Sequence, residues 1–290
     1  MANPTVNGNY TGSQAGDYLG ACIKSGLTLS EGNITFLENV KYKRNLTVVS
    51  SESLISADTD CSFSTSGALT LTDRVITPAK KKLNLELCKR DLEQDWMAQN
   101  MAGGVTNSGM DTDFTAFMME YLGETIGANV ENAIWTDLEA TTLADGTVVD
   151  VVGAALDADN IIVELGKVRD AIPVGCYGKE DLTIYLGTAA IRFYISAMSK
   201  LGYLNLYYAA EIPLTFEGIR LAHAPGMSTD TMIASRKSNL FAATDLISDF
   251  VNLTILDMAN LDASQNIRIA GNFSIAANHA VGADVVRYAR

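Results

Sequence analysis

Basic residues are missing from one continuous quarter of this 290-residue chain. Between Asp91 and Gly166 the sequence contains fifteen Asp or Glu residues and no Lys or Arg. The ninety residues before this block hold ten basic and eight acidic side chains, and the 124 residues after it hold eleven of each. The formal net charge of −13 therefore lies in one segment. This argues against a nucleic-acid binder, which needs Lys and Arg to displace counterions from phosphates.

Long apolar runs and paired cysteines are also absent. No run approaches the roughly 20 apolar residues that a membrane span needs, and the N-terminus has neither the basic stretch nor the apolar core of a signal peptide. The four cysteines form no CxxC pair, which excludes the usual zinc and thioredoxin-like motifs. We therefore expect a cytosolic protein with free thiols, no metal site and no membrane partner.

Residues suited to catalysis are few. His223 and His279 are the only histidines, and without a companion motif each is expected to be a hydrogen-bonded structural histidine. No GxSxG, Walker, GxGxxG or HExxH motif occurs. The segment from Asp157 to Asn160 resembles the start of a calcium loop but lacks the required Gly and Glu. The sequence predicts no catalytic, cofactor or metal site, and a soluble α/β enzyme is the weakest alternative.

The first ninety residues indicate an arm followed by strands. Residues 1–32 are Gly-rich and polar and are expected to form an extended arm. Three β-rich runs follow, at 34–37, 46–49 and 69–72, and the last two flank a long polar loop at 50–67. Basic side chains lie on both sides of this predicted hairpin: Lys41, Lys43, Arg44, Arg74, Lys80, Lys81 and Lys82.

The acidic block contains a long helical pattern. A short helix is expected after Asp91, and a second from about Asp111 to Leu138, although Gly123 and Gly127 weaken its predicted continuity. At 100° per residue, four acids of the second helix fall on one stripe: Asp113, Glu120, Glu124 and Glu131. The stripe is either a solvated helix face or a surface that pairs with Lys and Arg side chains from outside the acidic block. Because a solvated face normally mixes Lys with Glu, the missing bases favour an external partner.

The second half alternates between strand and helix patterns. Strands are predicted at 148–152, 182–186, 214–216, 219–222 and 232–235, and helices at 159–171 and 188–201. Residues 239–290 are mostly strand-forming, with strands expected at 251–256, 267–269, 273–277 and 285–288. The overall fold class is therefore α+β.

The C-terminal third carries a family resemblance. Its segments Asn239–Leu246, Val251–Met258, Ile267–Phe273 and Val285–Ala289 resemble the closing region of tailed-phage major capsid proteins of the Hong Kong 97 type. Upstream, Leu71–Pro78 leading to Leu87–Glu93 looks like the approach to the spine helix of that family. The order of arm, long hairpin, long helix, α/β insertion and terminal strands extends this resemblance over the whole chain.

The resemblance implies a domain layout and a function. Residues 1–32 would be the N-arm, 33–90 the E-loop region, 91–147 the P domain with the spine helix, 148–240 an inserted A domain, and 241–290 the C-terminal strands of the P domain. Hexamers and pentamers of the chain would close into an icosahedral virion shell that encloses double-stranded DNA without reading its sequence, assembled in the cytoplasm of a bacterial host. Scaffolding, portal and decoration proteins would be further partners.

The same resemblance suggests a use for the charge pattern. The E-loop and arm of one subunit would lie over the spine region of its neighbour, so the seven basic residues would pair with the four acids of the stripe. The alternative within the fold is an encapsulin-like nanocompartment, for which no cargo-binding groove can be identified in the sequence.

Overall fold

The structure is a computed structural model of the chain. It describes residues 27–51, 55, 68–88, 112–202, 214–245, 254–258, 261, 263–264 and 266–290; for 112–121 and 124 it gives the backbone only. The helix predicted after Asp91, most of the arm and most of the loop at 50–67 lie outside these residues.

The described elements include four α-helices and thirteen strands. The helices are α1 (Leu27–Ser30), α2 (Thr112–Ala144), α3 (Ile161–Ala171) and α4 (Thr188–Lys200). The strands are β1 (Thr35–Leu37), β2 (Arg44–Ser51), β3 (Leu69–Ile76), β4 (Ala79–Cys88), β5 (Val149–Val152), β6 (Leu182–Leu186), β7 (Thr215–Phe216), β8 (Ile219–His223), β9 (Met232–Arg236), β10 (Leu240–Thr244), β11 (Thr254–Asp257), β12 (Asn266–His279) and β13 (Val286–Ala289). The α+β class is confirmed.

A five-stranded sheet is organised around β12. Strand β4 pairs antiparallel with one edge of β12 from Asn266↔Cys88 to Ile275↔Ala79, while β10 and β11 pair with the other edge. Strand β1 continues the sheet beyond β10 in parallel. The fourteen residues of β12 were predicted as two separate strands, yet they run without interruption through Gly271.

The long helix α2 covers one face of this sheet. It runs unbroken through Gly123 and Gly127, both of which were expected to weaken it. Its apolar side chains are almost fully buried against the sheet, together with Tyr185 and Val285; they are Leu122, Ile126, Val130, Ile134, Trp135 and Leu138. Helix propensity alone does not fix such a long helix, so this burial supplies much of its stability.

The base of a hairpin covers part of the opposite face. Strands β2 and β3 form a two-stranded sheet of their own, paired from Arg44↔Ile76 to Ser51↔Leu69. At its base, Leu46 and Ile76 pack with Val40 against Ala243 and Ala276 of the main sheet.

A second, six-stranded sheet has the order β5-β13-β9-β6-β8-β7. Helices α3 and α4 pack against it over a separate core that includes Ile161, Leu165, Ile184 and Tyr194. The chain returns to this sheet at its end, since β13 pairs with β5 and β9. This differs from the expected grouping of all of 241–290 with the long helix.

The final strand joins the second sheet because its alternate side chains fit there. Val286 and Tyr288 are buried, and the Tyr288 hydroxyl donates to the Ala154 carbonyl at 2.7 Å. A Cβ on Gly153 would stand 2.1 Å from the Tyr288 Oη. Only glycine leaves room for the ring at that position.

Candidate intersubunit surface

The hairpin presents an apolar face that no described residue covers. Directly opposed residues of an antiparallel pair share a face. One face therefore contains the pairs Ser51↔Leu69, Val49↔Leu71, Thr47↔Asp73 and Asn45↔Val75, so one carboxylate, that of Asp73, interrupts its apolar side chains. Its four large apolar side chains are exposed, at 57% for Val49, 61% for Leu69, 64% for Leu71 and 44% for Val75. A clustered apolar face of this kind typically marks an interaction site.

The other face of the hairpin anchors it to the molecule. Leu46 and Ile76 are 8% and 1% exposed there. Near the middle of the ladder the same face carries Thr72 and Val48, which meet no described core. The hairpin is thus held at its base and extends away from the sheet, although a two-stranded ribbon is hardly stable alone in water.

The predicted basic residues occupy four different settings. Lys41, Lys43 and Arg44 are exposed at the base of the hairpin. Lys80 and Lys82 are also exposed and lie on the open face of the sheet, where their register partners are Ser274 and Asn272. Arg74 is instead half-buried and forms a salt bridge with Asp145.

Lys81 points to the opposite face from its two neighbours, because side chains alternate along a strand. It shares the helix-facing side of β4 with Leu83 and Leu87, which pack against the main core. There it faces Asp137 of α2. Burial raises the pKa of that carboxyl, and the Lys81 charge partly opposes the rise. Lys80, Lys81 and Lys82 therefore do not form one surface.

Arg74 belongs to a cluster that joins three elements. Its guanidinium is 2.5 Å from Asp145 Oδ2 and 2.7 Å from His279 Nε2, and His279 Nε2 is 2.8 Å from Asp145 Oδ2. Asp145 Oδ1 accepts hydrogen bonds from the Thr147 backbone N–H and hydroxyl. Burial would raise the pKa of Asp145, but these hydrogen bonds together hold it well below its usual range.

The intersubunit role predicted for Glu131 is wrong in this fold. Glu131 is 3% exposed. Its carboxylate accepts hydrogen bonds from the Thr28 backbone N–H at 3.1 Å, from the Thr28 hydroxyl and from Trp135 Nε1 at 2.9 Å. The helical wheel placed this residue on the acidic stripe, but α2 turns this position toward the core. There Glu131 fastens α1 to α2.

The acidic stripe predicted on α2 stays a prediction for three of its four members. The side chains of Asp113, Glu120 and Glu124 lie outside the described residues. Further along, the exposed positions are uncharged: Thr125, Ala128, Asn129, Asn132, Thr136, Ala140, Leu143 and Ala144. Glu139, which is half-buried, accepts from the Ser228 N–H and hydroxyl at 2.7 and 2.6 Å.

Both histidines make hydrogen-bond contacts inside the chain. His223 Nε2 lies 2.9 Å from the Thr188 hydroxyl at the start of α4, and His279 is fully buried in the Arg74 cluster. Asp157, the first residue of the calcium-like segment, accepts hydrogen bonds from the Asp159 and Asn160 N–H groups and so shapes the start of α3.

Sequence reasoning missed two features of the site. The apolar face of the hairpin was detectable from the alternation at 69, 71, 73 and 75, interrupted only by Asp73. The Arg74 cluster gave no local signal, because Asp145 and His279 are 134 residues apart. Within the described ranges, no group of three or more His, Cys, Asp or Glu side chains is placed to hold a metal. None of the described helices is both long and apolar enough to cross a membrane.

Comparison with known proteins identifies the fold. No protein-family model and no curated protein matches the sequence. Solved structures do match over nearly the whole chain. A capsid of an empty GTA particle has a TM-score of 0.58 at 11% identity, covering 99% of this chain and 93% of that one. The capsid of cyanophage P-SCSP1u has a TM-score of 0.57 at 14% identity, with 89% and 86% covered.

A third match is a virus-like particle from Pyrococcus furiosus. Its TM-score is 0.55 at 9% identity, and the match covers 95% of this chain and 98% of that one. The chain has the fold of phage capsid proteins.

Proposed function

We propose that this chain is a tailed-phage major capsid protein whose copies build the icosahedral head shell around packaged DNA. The observation that carries the proposal is a fold match spanning 99% of the chain to a capsid. Its role is mechanical, and the site that matters is the surface between copies. Hexamers and pentamers of this one chain would form the shell, and scaffolding, portal and decoration proteins are the further partners that this function implies.

The exposed hairpin supports this function. In an isolated chain, the face with Val49, Leu69, Leu71 and Val75 leaves apolar surface in water, at a cost of roughly 25 cal/mol for each Å². A second copy that packs against this face removes that cost. It also stabilises a two-stranded hairpin that is only marginally stable alone. We assign the hairpin to the E-loop, with its apolar face toward the neighbouring subunit.

The proposed domain layout follows from the same resemblance. Residues 1–32 would be the N-arm, 33–90 the E-loop region, 91–147 and 241–290 the P domain, and 148–240 the A domain, with the final strand β13 reaching into the sheet of the A domain. Two separate hydrophobic cores support a division into two domains. The sheet around β12 packs with α2, while the sheet around β6 packs with α3 and α4. The β13 strand links them at the end of the chain.

Fewer charged residues remain candidates for intersubunit contacts than the sequence indicated. Lys41, Lys43, Arg44, Lys80 and Lys82 remain candidate contacts to a neighbouring copy, together with Asp113, Glu120 and Glu124. Arg74 and Glu131 make their polar contacts inside the chain. Exposed ion pairs contribute only about 0–1 kcal/mol each, so they select the register between copies more than they drive assembly.

Negative-stain electron microscopy of the purified full-length chain tests the function. Closed shells of uniform diameter, or rings of five and six copies, are expected at high protein concentration. Particles isolated from phage lysates should contain double-stranded DNA. Shells that hold an enzyme cargo would favour the nanocompartment alternative, and a monomer at every concentration, with or without a scaffolding protein, would contradict the proposal.

A further inference from the structure

We infer that Arg74, Asp145 and His279 form a proton-sensitive lock that fixes the hairpin on the main sheet. Arg74 belongs to β3 of the hairpin, Asp145 follows the last residue of α2, and His279 ends β12. The three side chains meet within 2.5–2.8 Å. The lock concerns the chain itself and does not depend on the proposed function.

The protonation state of the His279 ring determines which hydrogen bonds the cluster can form. Nε2 stands within hydrogen-bond distance of both a guanidinium, which only donates, and a carboxylate, which only accepts. A neutral ring with its proton on Nε2 donates to Asp145 but opposes the Arg74 N–H. A neutral ring with its proton on Nδ1 accepts from Arg74 but opposes the Asp145 oxygen. Neither tautomer satisfies both contacts.

A doubly protonated, positively charged His279 ring is accommodated less well than either neutral tautomer. Nδ1 is buried and has no hydrogen-bond partner, so a second ring proton would be an unsatisfied buried donor. The added positive charge would also lie beside Arg74. In the described part of the chain, Arg74 from β3 and Asp145 from the end of α2 are the charged groups that face the ring, and β10 contributes the uncharged Leu240 opposite His279.

The hairpin is the element that the lock controls. Only Thr77 and Pro78 separate β3 from β4, so the hairpin joins the sheet through a short bend. Arg74 lies beside the buried Ile76 at that bend, and Asn278 Nδ2 donates to the Val75 carbonyl at 3.1 Å. Repulsion between a protonated His279 and Arg74 therefore loosens the contacts that hold the hairpin base in place.

The sign of the pH effect follows from burial. Burial lowers the pKa of His279 below its ordinary value near 6.5, and the hydrogen bond to Asp145 only partly opposes this. The opened state, where the ring is solvated, therefore binds the proton more tightly than the locked state. The lock is fully formed above about pH 6.5 and weakens as the pH falls, by up to about tenfold for each unit that separates the two pKa values.

Hydrogen–deuterium exchange of the full-length chain at pH 7.5 and 5.5, corrected for intrinsic exchange rates, tests the lock. In the wild type, amides of 44–51 and 69–76 should lose several-fold protection at pH 5.5, while those of β6 keep theirs. His279→Gln should abolish this loss, because a side-chain amide does not titrate and offers both a donor and an acceptor. His223→Gln removes the other histidine and should leave the loss unchanged.

Arg74→Met provides a second variant in case His279→Gln does not fold. It removes the guanidinium but retains much of the apolar stem, and it should leave the hairpin poorly protected at pH 7.5 as well as at 5.5. An equal loss of protection in wild type and His279→Gln would overturn the inference. Full protection of the wild-type hairpin at pH 5.5 would overturn it as well.

Discussion

Val49 on β2 stands directly opposite Leu71 on β3, and the two side chains are 57% and 64% exposed on the same face of an isolated hairpin. The pairing is favourable for a strand, since β-branched and aliphatic side chains pack well across a ladder. Its exposure is unfavourable unless another surface covers it. The proposed assembly depends on a neighbouring copy covering this exposed apolar pair.

Leu71→Asp should prevent assembly. The change removes the most exposed of the four apolar side chains and adds a second carboxylate beside Asp73 on the same face, which docking would bury without a partner. We expect shells or capsomer rings to disappear from negative-stain images while the circular dichroism spectrum stays unchanged. Thr72→Asp is the matched control, because Thr72 is the next residue of β3, is also exposed and belongs to the opposite face. Equal assembly of the two variants would contradict docking through this face.

Removing the Glu131 carboxylate should destabilise the chain. Glu131→Ala leaves the Thr28 N–H buried without its acceptor and takes one of two acceptors from Trp135 Nε1. We expect a loss of about 2–4 kcal/mol in the free energy of unfolding, measured by denaturant titration of the unassembled chain. Asn129→Ala, on the exposed side of α2, should change it by less than about 0.5 kcal/mol. Similar values for both would show that the Glu131 contacts contribute little.

Two glycines should respond to alanine in opposite directions. Gly153→Ala places a Cβ 2.1 Å from the Tyr288 hydroxyl, so β13 must shift, at a cost of about 1–3 kcal/mol. Gly166→Ala lies inside α3 with no atom within 4 Å of the new Cβ and should stabilise the chain by about 0.5–1 kcal/mol. Thermal unfolding followed by calorimetry distinguishes the two. A tolerated Gly153→Ala would mean that Tyr288 is not fixed where the structure places it.

Charge reversal on the open face of the sheet should weaken association selectively. Lys80→Glu combined with Lys82→Glu changes two exposed positions, and we expect a higher concentration threshold for assembly together with a smaller response to salt. Lys81→Glu should instead act within the chain, since Lys81 faces Asp137. Light scattering at several salt concentrations measures both. An unchanged salt response in the double variant would remove these lysines from the interface.

Much of the second sheet could be predicted from local patterns. Strand β6 is a continuous apolar run and was located at Leu182–Leu186, as observed. The start of α4 at Thr188 and the end of α3 at Ala171 were also predicted correctly. In these segments the local pattern and the tertiary environment favour the same structure.

Other elements depended on distant parts of the chain. Strand β4 was interpreted as a basic flank and as part of the approach to the spine helix, and not as a strand of its own, although Leu83, Leu85 and Leu87 alternate as a strand requires. Strand β10 contains two alanines and has weak strand propensity, yet it is held between β1 and β12. The burial of Glu131 required Thr28, 103 residues earlier, which no helical wheel includes.

A cryo-EM reconstruction of the assembled particle tests the central claim most directly. It shows what lies against Val49, Leu69, Leu71 and Val75 in every copy. The proposal predicts that a neighbouring subunit covers this face throughout the shell. A shell in which the face is open to solvent, or a purified chain that forms no shell under any condition, would contradict it.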